Sequence, residues 1–253
     1  MEVLLLPSST GPDPGYQFLT TYLFDGVLAV DAGSLGFWGD PEGQSRVKNV
    51  VLTHSHVDHV ASLPVFLENV YGNKPPVTVH ASRVVLDGLR SDLFNDRTYP
   101  DLISRPPSAG AFVRLRELSP HRKRKLGPHT VTAIPIAHIV PTVAVLVESA
   151  DVAVLVVTDT GPTSEVWSFA ARVKNLRAVL LEATFPDDFT TLAKKTGHLA
   201  TGQFAVEHGK APPGVTRLAV HIKPKRREAV RKELAKLRLP GVEVMVPGRV
   251  YAF

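Results

Sequence analysis

A short segment near the first quarter of the chain places three imidazoles and one carboxylate within six positions. The segment is Thr53-His54-Ser55-His56-Val57-Asp58-His59, and it directly follows the apolar run 50–52. Imidazole and carboxylate together suit zinc, iron or manganese. A strand that ends near Thr53 and a helix that starts near His59 would confine the cluster to a tight turn. His54 and His56 can then face one ion while Asp58 and His59 face a second. A solvated polar loop is the alternative, and it suits a lone histidine better than this spacing.

The composition indicates a globular protein that must build a metal site without thiolates. The chain has 253 residues, 44% hydrophobic content and no cysteine, so metal ligands must be His, Asp or Glu. No repeat or long linker divides the chain, and we predict one domain over residues 1–253 with an irregular insert at about 94–110. The acidic start and the lack of an apolar stretch of about 18 residues predict a cytoplasmic protein with no membrane partner.

Basic residues exceed acidic ones and are concentrated in two segments. The net charge is +5, and the basic segments are 121–125 and 223–238. In the second segment, Val230, Leu234 and Leu237 recur at helical spacing, which predicts an amphipathic surface helix with solvated charges. The alternative is a rim that attracts phosphate or nucleic acid.

The order of predicted elements indicates two sheets with outer helices. Strands are expected at 4–7, 18–25, 27–31 and 77–80, and helices at 59–71 and 82–93. Four segments rich in β-branched residues are expected to form a second sheet, namely 113–118, 130–136, 142–147 and 152–157. Further helices are expected at 164–173, 189–195 and 200–210, and further strands at 178–181 and 217–220, before the basic helix. We therefore predict an α/β fold, a four-layer α/β/β/α sandwich of two mixed β-sheets flanked by helices.

Three later strands are each followed at once by a side chain that can bind a metal. His138 follows the strand 130–136, Asp159 follows 152–157, and His221 follows 217–220. If these strands run the same way, the three side chains gather at one edge of the sandwich. Asp31 also ends a strand, where it can orient a metal ligand or cap a turn.

The order and type of these residues resemble the metallo-β-lactamase superfamily of dinuclear hydrolases, over most of the chain. The resemblance implies two divalent ions, one held by His54, His56 and His138, the other by Asp58, His59 and His221, with Asp159 bridging. Zinc is the expected ion, with manganese or iron as alternatives. Two cations close together make a hydroxide from water at neutral pH and stabilise the attacking and leaving oxygens of a phosphoryl transfer.

Within that superfamily, further segments are similar to class II cyclic-nucleotide phosphodiesterases. They occur in the same order, at 93–102, 138–143, 158–162, 181–186, 197–199 and 221–224. An aliphatic residue before Asp58 agrees, although Val57 stands where that family has leucine and Tyr99 where it has tryptophan. The resemblance implies hydrolysis of a 3′,5′-cyclic nucleotide, cyclic AMP or cyclic GMP, to a 5′-nucleotide by a metal-bridging hydroxide.

The same resemblance places His198 beside the metals. We expect His198 to be the general acid and Glu182 to orient it, with Asp58 counted as catalytic as well as metal-binding. A histidine that only caps a helix is the alternative for His198. Thr160 and Thr201 are expected to donate hydrogen bonds to the phosphate, or else to cap helices.

Tyr99 is the first choice for a face on which the base stacks, ahead of Phe94 and Trp38. Two rival functions stay open. One is a transfer-RNA 3′-end processing nuclease, which the basic helix and the pair Glu182 and His198 favour, and which would make nucleic acid a partner. The other is a di-iron redox or gas-binding protein. A monomer and a homodimer are both compatible with the sequence.

Overall fold

The computed structural model describes residues 1–104 and 110–253. Two seven-stranded β-sheets pack face to face, with helices on their outer surfaces. This arrangement confirms the predicted four-layer α/β/β/α sandwich. The single domain over 1–253 stays a prediction, and residues 105–109 of the predicted insert lie outside the described residues. Within the described ranges, no helix is both long and apolar enough to cross a membrane.

The first sheet contains the N-terminal strands and the last strand of the chain. They are β1 Glu2–Leu5, β2 Tyr22–Phe24, β3 Leu28–Val30, β4 Asn49–Val51, β5 Val77–Ala81, β6 Val113–Glu117 and β14 Val250–Ala252. Their order in the sheet is β14-β1-β2-β3-β4-β5-β6. The strands from β14 to β3 pair antiparallel, and those from β3 to β6 pair parallel.

The second sheet contains the seven strands between them in the chain. They are β7 Arg124–Leu126, β8 His129–Ile136, β9 Thr142–Glu148, β10 Ala153–Val157, β11 Leu176–Glu182, β12 Thr216–Val220 and β13 Val242–Val244. Their order in the sheet is β13-β12-β11-β10-β9-β8-β7. β9 is antiparallel to both β8 and β10, and β10 is parallel to β11, which is parallel to β12. Consequently β8, β10 and β12 run in one direction and end at one edge.

Eight α-helices cover the outer faces or lie at the edges of the described structure. They are α1 Pro41–Gln44, α2 Val57–Val60, α3 Leu63–Asn69, α4 Arg83–Gly88, α5 Glu165–Ala170, α6 Thr190–Thr196, α7 Thr201–Lys210 and α8 Arg227–Leu237. Short 3₁₀ turns occur at Leu35–Phe37, Asp187–Phe189 and Pro224–Arg226, and a π turn occurs at Leu89–Leu93. The predicted basic helix corresponds to α8, which buries Val230 and Leu234.

The apolar residues of the strands form one core between the sheets and one under each helical layer. In β10 every residue is buried. Val154 and Val156 contact the core between the sheets, and Leu155 contacts the core beneath α5 and α7. Burial on both faces explains why this strand is an unbroken apolar run rather than an alternating one.

Two sequence predictions are wrong in detail. The segment 113–118 was expected in the second sheet, but β6 pairs parallel with β5 at the edge of the first. The helix expected over 59–71 is interrupted, because the Ser62 hydroxyl donates to Ala32 O at 2.9 Å and the Ser62 amide donates to the same oxygen at 3.2 Å. Pro64, which has no amide hydrogen, then lies in the first turn of α3.

Candidate metal centre

Seven side chains converge at the edge where the two sheets meet. His54, His56, Asp58 and His59 follow β4 of the first sheet. Three others come from the second sheet, His138 after β8, Asp159 after β10 and His221 after β12. The common direction of these three strands brings their ends together, as the sequence pattern requires. The edge therefore carries five imidazoles and two carboxylates.

These side chains form two groups of potential ligands that share a carboxylate. Ligand atoms of His54, His56, His138 and Asp159 lie within 4.8 Å of one another, and so do those of Asp58, His59 and His221. Asp159 Oδ2 is 3.7 Å from His54 Nε2 in the first group. Its other oxygen, Oδ1, is 3.3 Å from His59 Nε2 and 3.4 Å from His221 Nε2 in the second. One carboxylate thus directs an oxygen to each group.

Polar neighbours orient the imidazoles from behind. His59 Nδ1 lies 2.7 Å from Asp31 Oδ2, and His138 Nδ1 lies 2.8 Å from Gly197 O. His221 Nδ1 lies 3.1 Å from the Thr184 hydroxyl. Each contact leaves Nε2 directed into the site, which is the usual arrangement behind a metal-binding histidine.

Two of the inward nitrogens fit a cation directly. His54 Nε2 and His59 Nε2 are buried and form no hydrogen bond within the described part of the chain. A buried nitrogen without a hydrogen bond is costly, and a metal ion would satisfy it. The residues present therefore fit the metal that the ligand pattern predicts.

Backbone geometry at the site also departs from the ordinary. Asp31, Asp159 and His221 have φ of 63°, 54° and 56°, in the left-handed region that non-glycine residues rarely occupy. Nearby, a Cβ on Gly33 would lie 2.1 Å from Asp58 O, so only glycine fits there. The surrounding structure must hold these left-handed conformations in place, and all three occur at or next to the candidate metal ligands.

Burial and neighbouring charges set the protonation states that a metal needs. Burial lowers the pKa of His54 to about 2 and also lowers the pKa of His56 and of His138, so these imidazoles are neutral. Burial would raise the pKa of Asp58 and Asp159, but contacts with His221 and His59 outweigh it and both pKa values are lowered. Neutral imidazoles and ionised carboxylates are the forms that bind metal.

His59 has the opposite shift. Burial acts to lower its pKa, but Asp159 and Asp31 raise the pKa well above the ordinary value. The proton on His59 offsets two carboxylates, and a divalent cation at Nε2 would supply that charge instead. The charge balance is therefore that of a cation site.

His198 and Glu182 lie against the second group. His198 has a ligand atom within 4.8 Å of those of Asp159 and His221. Its Nδ1 is 3.0 Å from Glu182 Oε1, and Glu182, fully buried at the end of β11, also accepts from the Leu199 amide at 3.0 Å. Burial acts to lower the pKa of His198, but Glu182 outweighs it and the pKa is raised.

The three residues expected to contact substrate have other contacts in this structure. Thr160 and Thr201 are fully buried, and their hydroxyls donate to Gly161 O and Glu233, so neither hydroxyl is free for a phosphate. Tyr99 is half-buried against Phe94, with ring centroids 6.2 Å apart, in the layer outside the first sheet. Burial first, and then Glu68, raise the pKa of Tyr99 to about 12. The substrate contacts expected of these three residues stay predictions.

Other residues at the centre had no role in the sequence prediction. Thr53 Oγ1 lies 3.0 Å from both Asp31 carboxylate oxygens and from His54 Nδ1, and Lys223 Nζ lies 3.5 Å from Asp58 Oδ2. Thr53 is 22 residues from Asp31 and Thr184 is 37 residues from His221, so no local sequence pattern shows these two contacts. Lys223 had signals in the sequence, since it lies two residues after His221 and begins the basic segment 223–238.

The fold and the paired ligand groups together define a metal-dependent hydrolase of the α/β/β/α type. Residues 20–222 match the family described as the beta-lactamase superfamily domain. Since this match covers most of the chain, the protein belongs to the metallo-β-lactamase superfamily.

Two relatives match part of the chain. Ribonuclease J of Thermus thermophilus is 32% identical over 101 residues, which are 40% of this chain and 16% of that protein. A 3′,5′-cyclic-nucleotide phosphodiesterase of Candida albicans is 26% identical over 94 residues, 37% of this chain and 21% of that protein. The aligned segments therefore span less than a quarter of either relative.

Solved structures agree on the fold. Unliganded yeast PDE1 superposes with a TM-score of 0.78 at 16% identity, over 98% of each chain. The short form of human tRNase Z superposes with a TM-score of 0.67 at 16% identity, over 100% of this chain and 99% of that one. At these identities the superpositions establish the shared architecture alone.

Proposed function

We propose that the protein hydrolyses 3′,5′-cyclic nucleotides, cyclic AMP or cyclic GMP, to 5′-nucleotides. The observation that carries the proposal is the Asp159 carboxylate, which directs one oxygen to each ligand group, beside His198 held by Glu182. The segments similar to class II phosphodiesterases and the partial match to the Candida enzyme support this substrate class.

In this proposal the first group, His54, His56 and His138, holds one divalent ion, and the second, Asp58, His59 and His221, holds another. Asp159 lies between them. Five imidazoles and two carboxylates without a thiolate suit zinc, with manganese or iron as alternatives. When bound, the two ions supply a hydroxide nucleophile at neutral pH and offset the negative charge of the phosphate.

His198 is proposed as the general acid. Glu182 raises the pKa of His198, which favours the protonated ring, while the contact at Nδ1 leaves Nε2 to face the site. Cleavage of the ring ester to give a 5′-nucleotide releases the ribose 3′ oxygen, which must gain one proton, and Nε2 of His198 donates it. Glu182 also accepts from the Thr160 amide and the Thr184 hydroxyl, so its own position is fixed.

A nuclease is the second candidate. The aligned segment of ribonuclease J and the basic residues of α8 favour it. The proposed reaction and the alternative both need a metal-activated nucleophile, and they differ in the substrate that reaches it.

The test is to incubate the purified, metal-loaded protein separately with cyclic AMP, cyclic GMP and a precursor transfer RNA. Chromatography would follow 5′-nucleotide formation, and gel electrophoresis would follow RNA cleavage. We expect 5′-AMP or 5′-GMP as the product. A matched control is Asp159→Asn, which should abolish the activity. Cleavage of the RNA without hydrolysis of either cyclic nucleotide would refute the proposal in favour of the nuclease.

A further inference from the structure

A small cleft opens beside the second ligand group, between the segment 17–20 and the turn that follows β12. It encloses about 70 Å³, and its walls include Phe18, Thr20, Asp58, His221, Lys223 and Pro224. That volume holds roughly five water-sized groups, the number of heavy atoms in a phosphate. The cleft is therefore large enough for a phosphoryl group.

Lys223 provides a cation in this cleft. Its Nζ is 3.5 Å from Asp58 Oδ2, and its side chain is 40% exposed. An ammonium has three donors, and the contact with Asp58 occupies one of them. Because Asp58 also lies 3.3 Å from His221 Nε2, its charge is shared between two partners. Lys223 can therefore donate to an anion in the cleft while it stays beside Asp58.

Phe18 provides an aromatic face at the rim. It is 54% exposed, although its backbone is held firmly. The Ser8 hydroxyl accepts from the amides of Phe18 and Leu19 at 2.8 and 3.1 Å, and the Thr20 amide donates to Asp58 O at 2.8 Å. An exposed aromatic ring on a fixed backbone offers a stacking surface for a nucleobase. The loop that presents it is bonded directly to the turn with the metal ligands.

We propose that this cleft is a nucleotide subsite in which Lys223 binds the phosphate and Phe18 stacks on the base. The inference rests on the proposed function and names the side chains that would recognise its substrate class. Phe18 takes the role that the sequence suggested for Tyr99. A phosphate beside Asp58 places the reacting phosphorus next to the second ligand group, and the base then extends outward over the ring.

Calorimetry tests the subsite without turnover, by measuring binding of 5′-AMP and of ribose 5-phosphate, which lacks the base, to the metal-loaded protein. Phe18→Leu should weaken binding of 5′-AMP about 5- to 10-fold and leave ribose 5-phosphate unchanged, since only stacking is lost. Lys223→Met should weaken both ligands by a similar factor, about 10-fold, because both carry the phosphate. Phe18→Trp should restore or improve 5′-AMP binding.

The matched controls are Phe37→Leu and Lys225→Met, which change exposed residues that do not line the cleft. Neither should alter either dissociation constant. Equal binding of 5′-AMP by wild type and Phe18→Leu, equal weakening of both ligands by Phe18→Leu, or failure of the wild type to bind 5′-AMP would overturn the subsite.

The outcome also separates the subsite from the proposed reaction. If Phe18→Leu selectively weakens 5′-AMP while no cyclic nucleotide is hydrolysed, the subsite stands and the proposed activity fails. If cyclic nucleotides are hydrolysed and Phe18→Leu binds 5′-AMP normally, the proposed activity stands and the subsite fails. Thermal unfolding of each variant checks the fold, and Phe18→Trp keeps the test decisive if leucine destabilises the loop.

Discussion

Replacement of Asp31 by asparagine should weaken binding of one of the two proposed metal ions much more than binding of the other. Asp31 is fully buried and accepts from three donors, since Oδ2 lies 2.7 Å from His59 Nδ1 and Oδ1 accepts from the Thr53 amide at 2.8 Å and from its hydroxyl at 3.0 Å. Asparagine has the same shape and tolerates the left-handed backbone at this position. The substitution therefore changes hydrogen-bonding character without adding strain.

The side-chain amide of the asparagine cannot satisfy both Thr53 and His59. If its oxygen faces Thr53, its NH₂ faces His59 Nδ1, which must then accept, so the proton moves to Nε2 and blocks metal binding there. If the amide turns over, its NH₂ meets the Thr53 amide hydrogen. Loss of such an orienting contact costs about 10- to 100-fold in metal affinity, or about 1.4–2.7 kcal/mol.

Competition with a calibrated chelator, read by metal analysis, measures the two affinities. We expect binding of the ion proposed at Asp58, His59 and His221 to weaken within that range, while binding of the ion proposed at the first group is unchanged. Asp151→Asn, at an exposed position, is the matched control and should behave as wild type. Unchanged affinity for both ions, or equal weakening of both in a folded variant, would refute the reasoning.

Three further predictions concern catalysis, acid stability and the core. His198→Ala should lower kcat about 10²- to 10⁴-fold, as expected for loss of a general acid, with metal content unchanged; loss of metal instead would make His198 a ligand. Burial, with two nearby arginines, lowers the pKa of His80 to about 4, so stability falls as pH drops from about 6.5 to 4. Urea unfolding at pH 7 and pH 4 should show that the fall in unfolding free energy is up to about 3 kcal/mol smaller in His80→Gln than in the wild type. An identical fall in both proteins would contradict the lowered pKa of His80. Leu180→Ala, in the core between the sheets, should cost about 2–5 kcal/mol of unfolding free energy, whereas Leu192→Ala, 40% exposed, should stay within about 0.5 kcal/mol. Equal effects of the two would place Leu180 outside the packed core.

The four layers, and the grouping of the candidate metal ligands at one edge of the sandwich, follow from local patterns in the sequence. His221 directly follows a strand, and His138 and Asp159 each lie two residues past the end of one. An apolar strand such as β10 is recognisable from composition alone. The direction of each strand has no such local pattern, because it depends on the pairing of β8 through β9 to β10. The common direction of the three strands could therefore only be assumed.

The features that could not be predicted depend on contacts between distant residues. The break before α3 arises from Ser62 and Ala32, which are 30 residues apart. The membership of β6 in the first sheet depends on its pairing with β5, for which β-branched composition carries no information. The exposure of Phe18 similarly depends on its loop being held by Ser8 and Asp58, and neither contact has a sequence signature.

Each ligand group takes side chains from both sheets, so the spacing between the groups is a property of how the sheets align. His54 and His56 belong to the first sheet and His138 to the second, and Asp58 and His59 likewise face His221 across the interface. A slip of one sheet past the other by a single residue, about 3.3 Å, would separate atoms that now lie within 4.8 Å. The apolar side chains between the sheets therefore determine the distances between the candidate metal ligands. Substitutions there should impair turnover at temperatures where the fold is still intact.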